Sequence, residues 1–328
     1  MQQAALRLGS RRSPMAVAQS GDVARLITER TGRQVELVGV TTFGDVSRDH
    51  LTQIGGTGVF VSALRESLLA GEVDFAVHSL KDLPTGPAAG ITIAAIPPRD
   101  DPRDALVGRD GAKLADLPRG ARIGTGSPRR AEQLALLRSD ITCVPIRGNA
   151  NTRLGRVHDG ELDAVVLAYA GLARIGFTDL ISEIFEPDEM VPAPGQGALA
   201  VECRTSDTEL IGLLSSVDHA PTRTAVTAER SLLAALEAGC SAPVGAYAAG
   251  MDPLRILGVV LGREPDEAVH DADRLDESAG SARMVIRERA EGPAAGAAAL
   301  GRDLAAAMLA RGAARLIGAT TNKDDAHD

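Results

Sequence analysis

Three groups of residues in this chain have the type and position to do chemistry. The first is a thiol. Cys240 follows a helical run within ERSLLAALEAGCSAPVG (229–245), where Leu232, Leu233 and Leu236 recur at helical spacing and Gly239 stands where a left-handed residue would end the helix. Cys240 is therefore expected on a turn. The negative end of a helix disfavours a thiolate, and the nearest preceding histidine is His219, so the setting suits covalent attachment better than nucleophilic attack. The second group is Lys81 and Asp82, where the apolar run Phe75 to Val77 runs out through His78 and Ser79; open α/β sheets bind ligands at such strand ends. Lys81 is one of three lysines, at 81, 113 and 323, against 32 arginines. The arginines are the third group. Residues 119–156 hold eight of them against Glu132 and Asp140, a net of +6 inside a chain of −9. Such a segment predicts a polyanionic ligand.

Predicted helix starts present these arginines. Ser13-Pro14 and Ser127-Pro128 are N-cap and N1 pairs, because serine caps an orphan N–H and proline loses no hydrogen bond at N1. Arg11 and Arg12 precede the first pair, and Arg129 and Arg130 lie in the first turn after the second. Cations there oppose the helix dipole, so local stability does not explain them, whereas a bound anion would. RGNANTRLGR (147–156) is a further strand-to-helix turn, bearing Arg147 and Arg153.

The elements that must position these groups read as α/β. Strands are expected at Leu6 to Leu8, Val35 to Thr42, Phe75 to Val77, Ile91 to Ile96 and Ala198 to Glu202, with a helix from about Val59 to Ala70. GELDAVVLAYAGL (160–172) repeats GEVDFAVHSLKDL (71–83) at a constant offset of 89 residues, so two lobes of one plan are expected with a ligand cleft between them. Where the first copy has Lys81-Asp82, the second has Ala170-Gly171. Proline-rich and charged stretches at 97–104 and 191–197 read as two crossings of a hinge. The lobes are then 1–98 with 196–217, and 99–195; a third unit spans 218–328. It has strand-like runs at Val244 to Ala248, Ile256 to Leu261 and Met284 to Glu288, an alanine-rich helix over 293–310 and a solvated tail, TNKDDAHD.

Composition removes several classes of function. Aromatics at 2%, no Trp and a charge of −9 argue against nucleic-acid binding. Cys143, Cys203 and Cys240 are odd in number and far apart, which fits a reducing compartment and not a disulfide framework. The N-terminus lacks the apolar core of a signal peptide, and no run approaches the roughly 18 apolar residues of a membrane span. A cytoplasmic protein without a membrane partner is expected. Six scattered histidines show no metal-ligand spacing.

The motifs GSRRSPMAVAQ, AVHSLKDLPT, DDPRDALV, GTGSPRRAEQL, RGNANTRL, PGQGALAVECR and TAERSLLAALEAGCSAPVGAY, in this order and spacing, resemble the porphobilinogen deaminase (hydroxymethylbilane synthase) family from about residue 5 to at least 260. The resemblance implies two lobes like those of periplasmic binding proteins, joined by a hinge, plus a small α/β C-terminal domain with the cofactor cysteine. It implies a monomeric transferase of tetrapyrrole and heme biosynthesis. Four porphobilinogen molecules would be joined in turn, each losing ammonia, to a dipyrromethane held on Cys240 by a thioether, and hydrolysis would release hydroxymethylbilane. Asp82 would be the catalytic carboxylate, hydrogen-bonding pyrrole N–H groups and stabilising the azafulvene cation left when ammonia departs. By the same resemblance Lys81, Asp82, Ser127, Arg129, Arg130 and Arg147 would contact the cofactor. Arg11, Ser13, Arg153, Arg174, Gln196 and Phe60 would contact substrate, Phe60 by packing on a pyrrole ring. Each substrate carries an acetate and a propionate, which arginine binds bidentately.

Two residues depart from the family pattern: Thr57 stands where many relatives have lysine, and Gly126 replaces a serine before Ser127. Two other functions compete. A non-catalytic two-lobed binding protein would explain the cleft and its arginines but leaves Cys240 and Asp82 without roles. A cysteine hydrolase would need a base beside Cys240.

Overall fold

The structure is a computed structural model, described for residues 4–40, 58–239, 242–263 and 283–321. The chain opens with β1 (Leu6–Ser10), α1 (Pro14–Thr31), β2 (Val35–Gly39), α2 (Gly58–Leu69), β3 (Phe75–Ser79) and β4 (Ile91–Ala95). It crosses to β5 (Asp104–Gly108), β6 (Arg122–Gly124), α3 (Pro128–Leu137), β7 (Thr142–Val144), α4 (Ala150–His158), β8 (Ala164–Ala168), α5 (Tyr169–Arg174) and β9 (Glu183–Ile184). It then returns as β10 (Leu199–Arg204).

Two five-stranded sheets result, of orders β2-β1-β3-β10-β4 and β7-β6-β8-β5-β9. They are one plan used twice: a parallel trio, then a strand entering antiparallel from a crossing, β10 in the first sheet and β5 in the second. β3 and β8 lie 89 residues apart, as the repeat predicts. The first three residues of β3 form an apolar run because both faces are covered: Phe75 and Val77 meet Val23 and Ile27 of α1, while Ala76 meets Leu64 and Leu68 of α2. The expected caps form. The Ser13 Oγ accepts from Ala16 N at 3.3 Å and the Ser127 Oγ from Arg130 N at 3.4 Å.

The two crossings run side by side, with Asp100 N donating to Gly197 O at 3.2 Å. Gly197 has φ of 85°, and a Cβ there would stand 2.6 Å from Asp100 O, so only glycine allows the strands this close. The departure at Gly126 has a similar cause: a Cβ would come within 2.7 Å of Ile146 O. Serine could return there only if that backbone moved.

Beyond β10 come α6 (Thr208–Leu214), α7 (Ala220–Ala235), β11 (Val244–Ala249), β12 (Leu254–Arg263), β13 (Arg283–Gly292), α8 (Ala297–Ala310) and α9 (Ala313–Thr321). β11, β12 and β13 form an antiparallel sheet, and Leu232, Leu304, Met308 and Leu316 from the last three long helices share a core with Ile256 and Val260 on one of its faces. The molecule is an α/β protein of two lobes built on one plan with a small α/β C-terminal unit.

The end of α7 differs from expectation. Leu236 is the C-cap, and the left-handed residue is Glu237, with φ of 52°, not Gly239. Ala238 N donates to Leu233 O and Glu237 N to Ala234 O, a Schellman pair closed by burial of Leu233 and Ala238 in the same core. Tertiary packing of Ala238 fixes the stop two residues before the glycine.

Candidate active site in the interlobe cleft

The carboxyl ends of β3 and β8 and the N-termini of α1 and α4 open onto one cleft of about 780 Å³. Its described lining carries five cationic side chains, Arg11, Lys81, Arg130, Arg153 and Arg174, around one carboxylate, Asp82. Ser13 lines it as the cap of α1, and Asn149 as the cap of α4, accepting from Thr152 N at 2.9 Å. Two helix N-termini thus face the same space from opposite lobes, adding partial positive charge to the cations.

Lys81 and Asp82 point into the cleft because their neighbours point away. Leu80 to Asp82 form one 3₁₀ turn, in which residues three apart eclipse, so Leu80 and Leu83 share one side. Both leucines are fully buried, against Val61, Ile96 and Val226. Burial of each contributes about 1.5–3 kcal/mol, enough to fix which side faces in. Among the described residues no hydrogen bond or ion pair engages the Asp82 carboxylate. Lys81 Nζ donates to Gln196 Oε1 at 3.3 Å. Burial, reinforced by the Arg130 charge, pushes Lys81 down to about 8 against the opposing pull of Asp82 and Asp104.

Behind the cleft wall lies a carboxylate that sequence reasoning missed. Asp104, the first residue of β5, is 0% exposed. Its Oδ2 accepts from Arg129 Nη2 at 2.8 Å, and its Oδ1 from Arg130 Nη2 at 2.7 Å and from Gln196 Nε2 at 2.9 Å. Burial alone would raise its pKa, but the Arg129 and Arg130 charges outweigh that and hold the carboxyl well below the usual carboxylate range. Gln196 also receives Lys81, so one buried amide in the second crossing joins Lys81 of the first lobe to Asp104 of the second.

The structure brings Arg11, Ser13, Lys81, Asp82, Arg130, Arg153 and Arg174 to the cleft and leaves four expected contacts outside its lining. Arg129 is turned inward, its Nη1 on Val191 O at 2.6 Å, because it neutralises the second oxygen of Asp104. Ser127 is spent as a cap, Gln196 is buried in the hinge and Arg147 is exposed. Arg130 keeps a place in the lining, although its Nε and Nη2 bind Asp104 and its Nη1 binds Val166 O at 3.2 Å. Arg174 is tied to the hinge through Asp100 at 2.8 Å and Gly197 O at 3.1 Å. Cys240 and Thr57 lie outside the described residues, as does the Phe60 side chain. Burial pushes the other two thiols, Cys143 and Cys203, up to about 11, so neither is poised for chemistry.

The +6 segment is not one patch. Arg129 and Arg130 share the carboxylate of Asp104, Arg138 pairs with Asp140 and Arg156 approaches Glu161. Only Arg130 and Arg153 of the eight reach the cleft, where Arg11, Lys81 and Arg174 join them from elsewhere in the chain.

Comparison with known proteins accords with this geometry. Residues 6–212 match the family model described as porphobilinogen deaminase, dipyromethane cofactor binding domain, and residues 223–310 match porphobilinogen deaminase, C-terminal domain. The chain is 59% identical to the porphobilinogen deaminase of Thermobifida fusca over 95% of both chains. It is 56% identical to porphobilinogen deaminase 1 of Streptomyces coelicolor over 97% of this chain and 99% of that one. Among solved structures, a periplasmic binding protein of Salmonella typhimurium with high arginine specificity aligns over 66% of this chain and 92% of its own, at 16% identity and a TM-score of 0.35, too slight a likeness to add to the topology above. Both halves of the chain match the models, and the relatives match nearly end to end: the chain belongs to the porphobilinogen deaminase family.

Proposed function

We propose that this chain joins four porphobilinogen molecules, with loss of ammonia at each step, onto a dipyrromethane attached to Cys240, and releases hydroxymethylbilane by hydrolysis. The observation that carries this reading is the cleft itself: five cations and two helix N-termini around a single carboxylate, in a chain whose first 212 residues match a dipyromethane cofactor binding domain. Cationic donors of this kind suit a polycarboxylate chain, and so the residues present fit the cofactor. Arg11, Arg153, Arg174 and Lys81 hold acetate and propionate groups. Arg130 and Arg129 contribute through their charge and through Asp104. When bound, the dipyrromethane supplies the pyrrole carbon to which the first substrate is joined. Asp82 accepts hydrogen bonds from the substrate pyrrole N–H and stabilises the cation left by departing ammonia, since a fixed carboxylate aimed at a developing charge acts more strongly within a cleft than in bulk water. Among the described residues no helix is long and apolar enough to cross a membrane. We place the enzyme in the cytoplasm as a monomer.

Intact-mass measurement tests the reading. The purified protein should carry an adduct equal to two linked pyrrole units, absent from Cys240→Ala, with a pyrrole-specific colour test following it. An unmodified mass in protein that releases ammonia from porphobilinogen would overturn the assignment of the cofactor.

Lys81 makes a pH prediction. It loses its proton as pH rises through about 8, so its positive charge is present below that value and gone above it. If Lys81 holds substrate carboxylates, kcat/KM should fall above about pH 8, and Lys81→Arg, which stays charged, should remove the fall. A fall that persists in the arginine variant would assign the titration to another group.

A further inference from the structure

We propose that Arg230, in the C-terminal unit, is a positioning residue for the reaction: it clamps the backbone on both sides of Lys81-Asp82 and ties the catalytic turn to the helix that leads to Cys240. The inference rests on the functional reading above and extends it to a residue outside the cleft lining. Arg230 Nη1 donates to Leu80 O at 3.2 Å and to Leu83 O at 2.8 Å, and its Nη2 donates to Pro84 O at 2.7 Å. Those carbonyls bracket Asp82. The turn's own bond, Leu83 N to Leu80 O, does not serve the Leu83 and Pro84 carbonyls just beyond it, and a guanidinium fork from another element supplies their donors.

A second contact places the same helix face on the same turn. Val226, one turn before Arg230 on α7, shares a core with Leu80 and Leu83. The residue just before Arg230, Glu229, points roughly 100° away into the hinge. It is 0% exposed, receives Arg99 at 2.7 and 3.0 Å, and accepts Gly195 N at 2.7 Å and Ala248 N at 2.8 Å. Adjacent residues of α7 therefore hold the hinge and the catalytic turn, and Cys240 lies ten residues beyond Arg230 in sequence. Movement of this helix would displace the hinge and the Lys81-Asp82 turn together. Without the fork, the turn keeps its buried leucines but loses the bonds that fix its carbonyls. A shift of about 1 Å at a catalytic group costs on the order of 10²-fold in rate.

The test compares Arg230→Ala and Arg230→Lys with the cofactor-loaded wild type. Arg230→Ala should keep the covalent adduct and lower kcat by about 10- to 100-fold with KM within about twofold. Arg230→Lys should recover part of the rate, and free methylguanidine should restore part of it in the alanine variant, since the side chain is only half-buried. A merely structural role would not respond to the added guanidinium. Unchanged kcat, or a rise in KM alone, would overturn the proposal. Hydrogen exchange keeps the test independent of activity: the Leu83 amide, which donates to Leu80 O, should exchange faster in Arg230→Ala, and unchanged protection would also overturn it. Loss of the wild-type adduct or turnover would instead count against the functional reading.

Discussion

Asp82→Asn is expected to lower kcat by about 10²- to 10³-fold while KM stays within about twofold and the adduct on Cys240 is retained. Asparagine has nearly the shape of aspartate, so the turn, with Leu80 and Leu83 buried beneath it, has no reason to move. What changes is charge. Asp82 is the one carboxylate among the described residues lining a cleft of five cations, and no hydrogen bond or ion pair from those residues engages its oxygens. On the proposed mechanism, loss of ammonia creates a positive centre among these cations, and Asp82 is the described carboxylate placed to offset it. Because that mechanism assigns the substrate carboxylates to other groups, binding should survive and the chemical step should not. Steady-state and single-turnover rates on adduct-bearing protein decide the matter. Turnover within about threefold of wild type would remove Asp82 from the catalytic role.

The groups legible in the sequence were those whose signal is local. Ser13-Pro14 and Ser127-Pro128 cap helices because a serine hydroxyl reaches three residues on, whatever the rest of the chain does. Lys81-Asp82 was legible because the apolar run Phe75 to Val77 marks a buried strand and the pair follows its carboxyl end. The 89-residue repeat gave both lobes because each copy must build the same strand and exit. Pairing across the chain was not legible. Arg129 and Arg130 look equivalent as neighbours, yet successive helical residues point roughly 100° apart, and only Arg130 reaches the cleft. Asp104 read as one more charge in a proline-rich linker, although an acid at the head of a five-residue apolar strand requires a buried partner. Asn149 gave a usable sign, a capping residue three before Thr152, that went unread beside Arg147 and Arg153. Arg230 gave none, since its partners lie about 150 residues away.

The hinge shows how these distant pairs serve the site. Both crossings meet α7 at Glu229, and both reach the cleft wall, through Arg174 on Asp100 and through Gln196 on Lys81. A ligand carboxylate that draws Arg174 from Asp100 would change a bond that the hinge itself makes. At the crossings the two lobes meet through charged and polar side chains, whereas each of these apolar cores belongs to one lobe.

Asp104→Asn should destabilise the protein by about 3–5 kcal/mol, the usual cost of removing one partner from a buried ion pair. Two guanidinium groups close on Asp104, and both are buried; the amide would leave them facing each other without a counter-charge. Urea unfolding of adduct-bearing protein measures the loss. The double variant Asp104→Asn/Arg129→Met should recover part of it, because an uncompensated buried charge, more than a missing hydrogen bond, is what destabilises. The pH dependence has a definite sign. The folded carboxyl is held below its unfolded value of about 3.9, so its stabilisation is fully present above that pH and is lost as pH falls toward the folded value. Wild type should therefore lose part of its advantage over Asp104→Asn on acidification below about pH 4, and the two curves should run parallel above about pH 5. A cost under about 1 kcal/mol, or curves that stay parallel into acid, would mean that Asp104 is not the counter-charge that keeps Arg130 at the cleft wall.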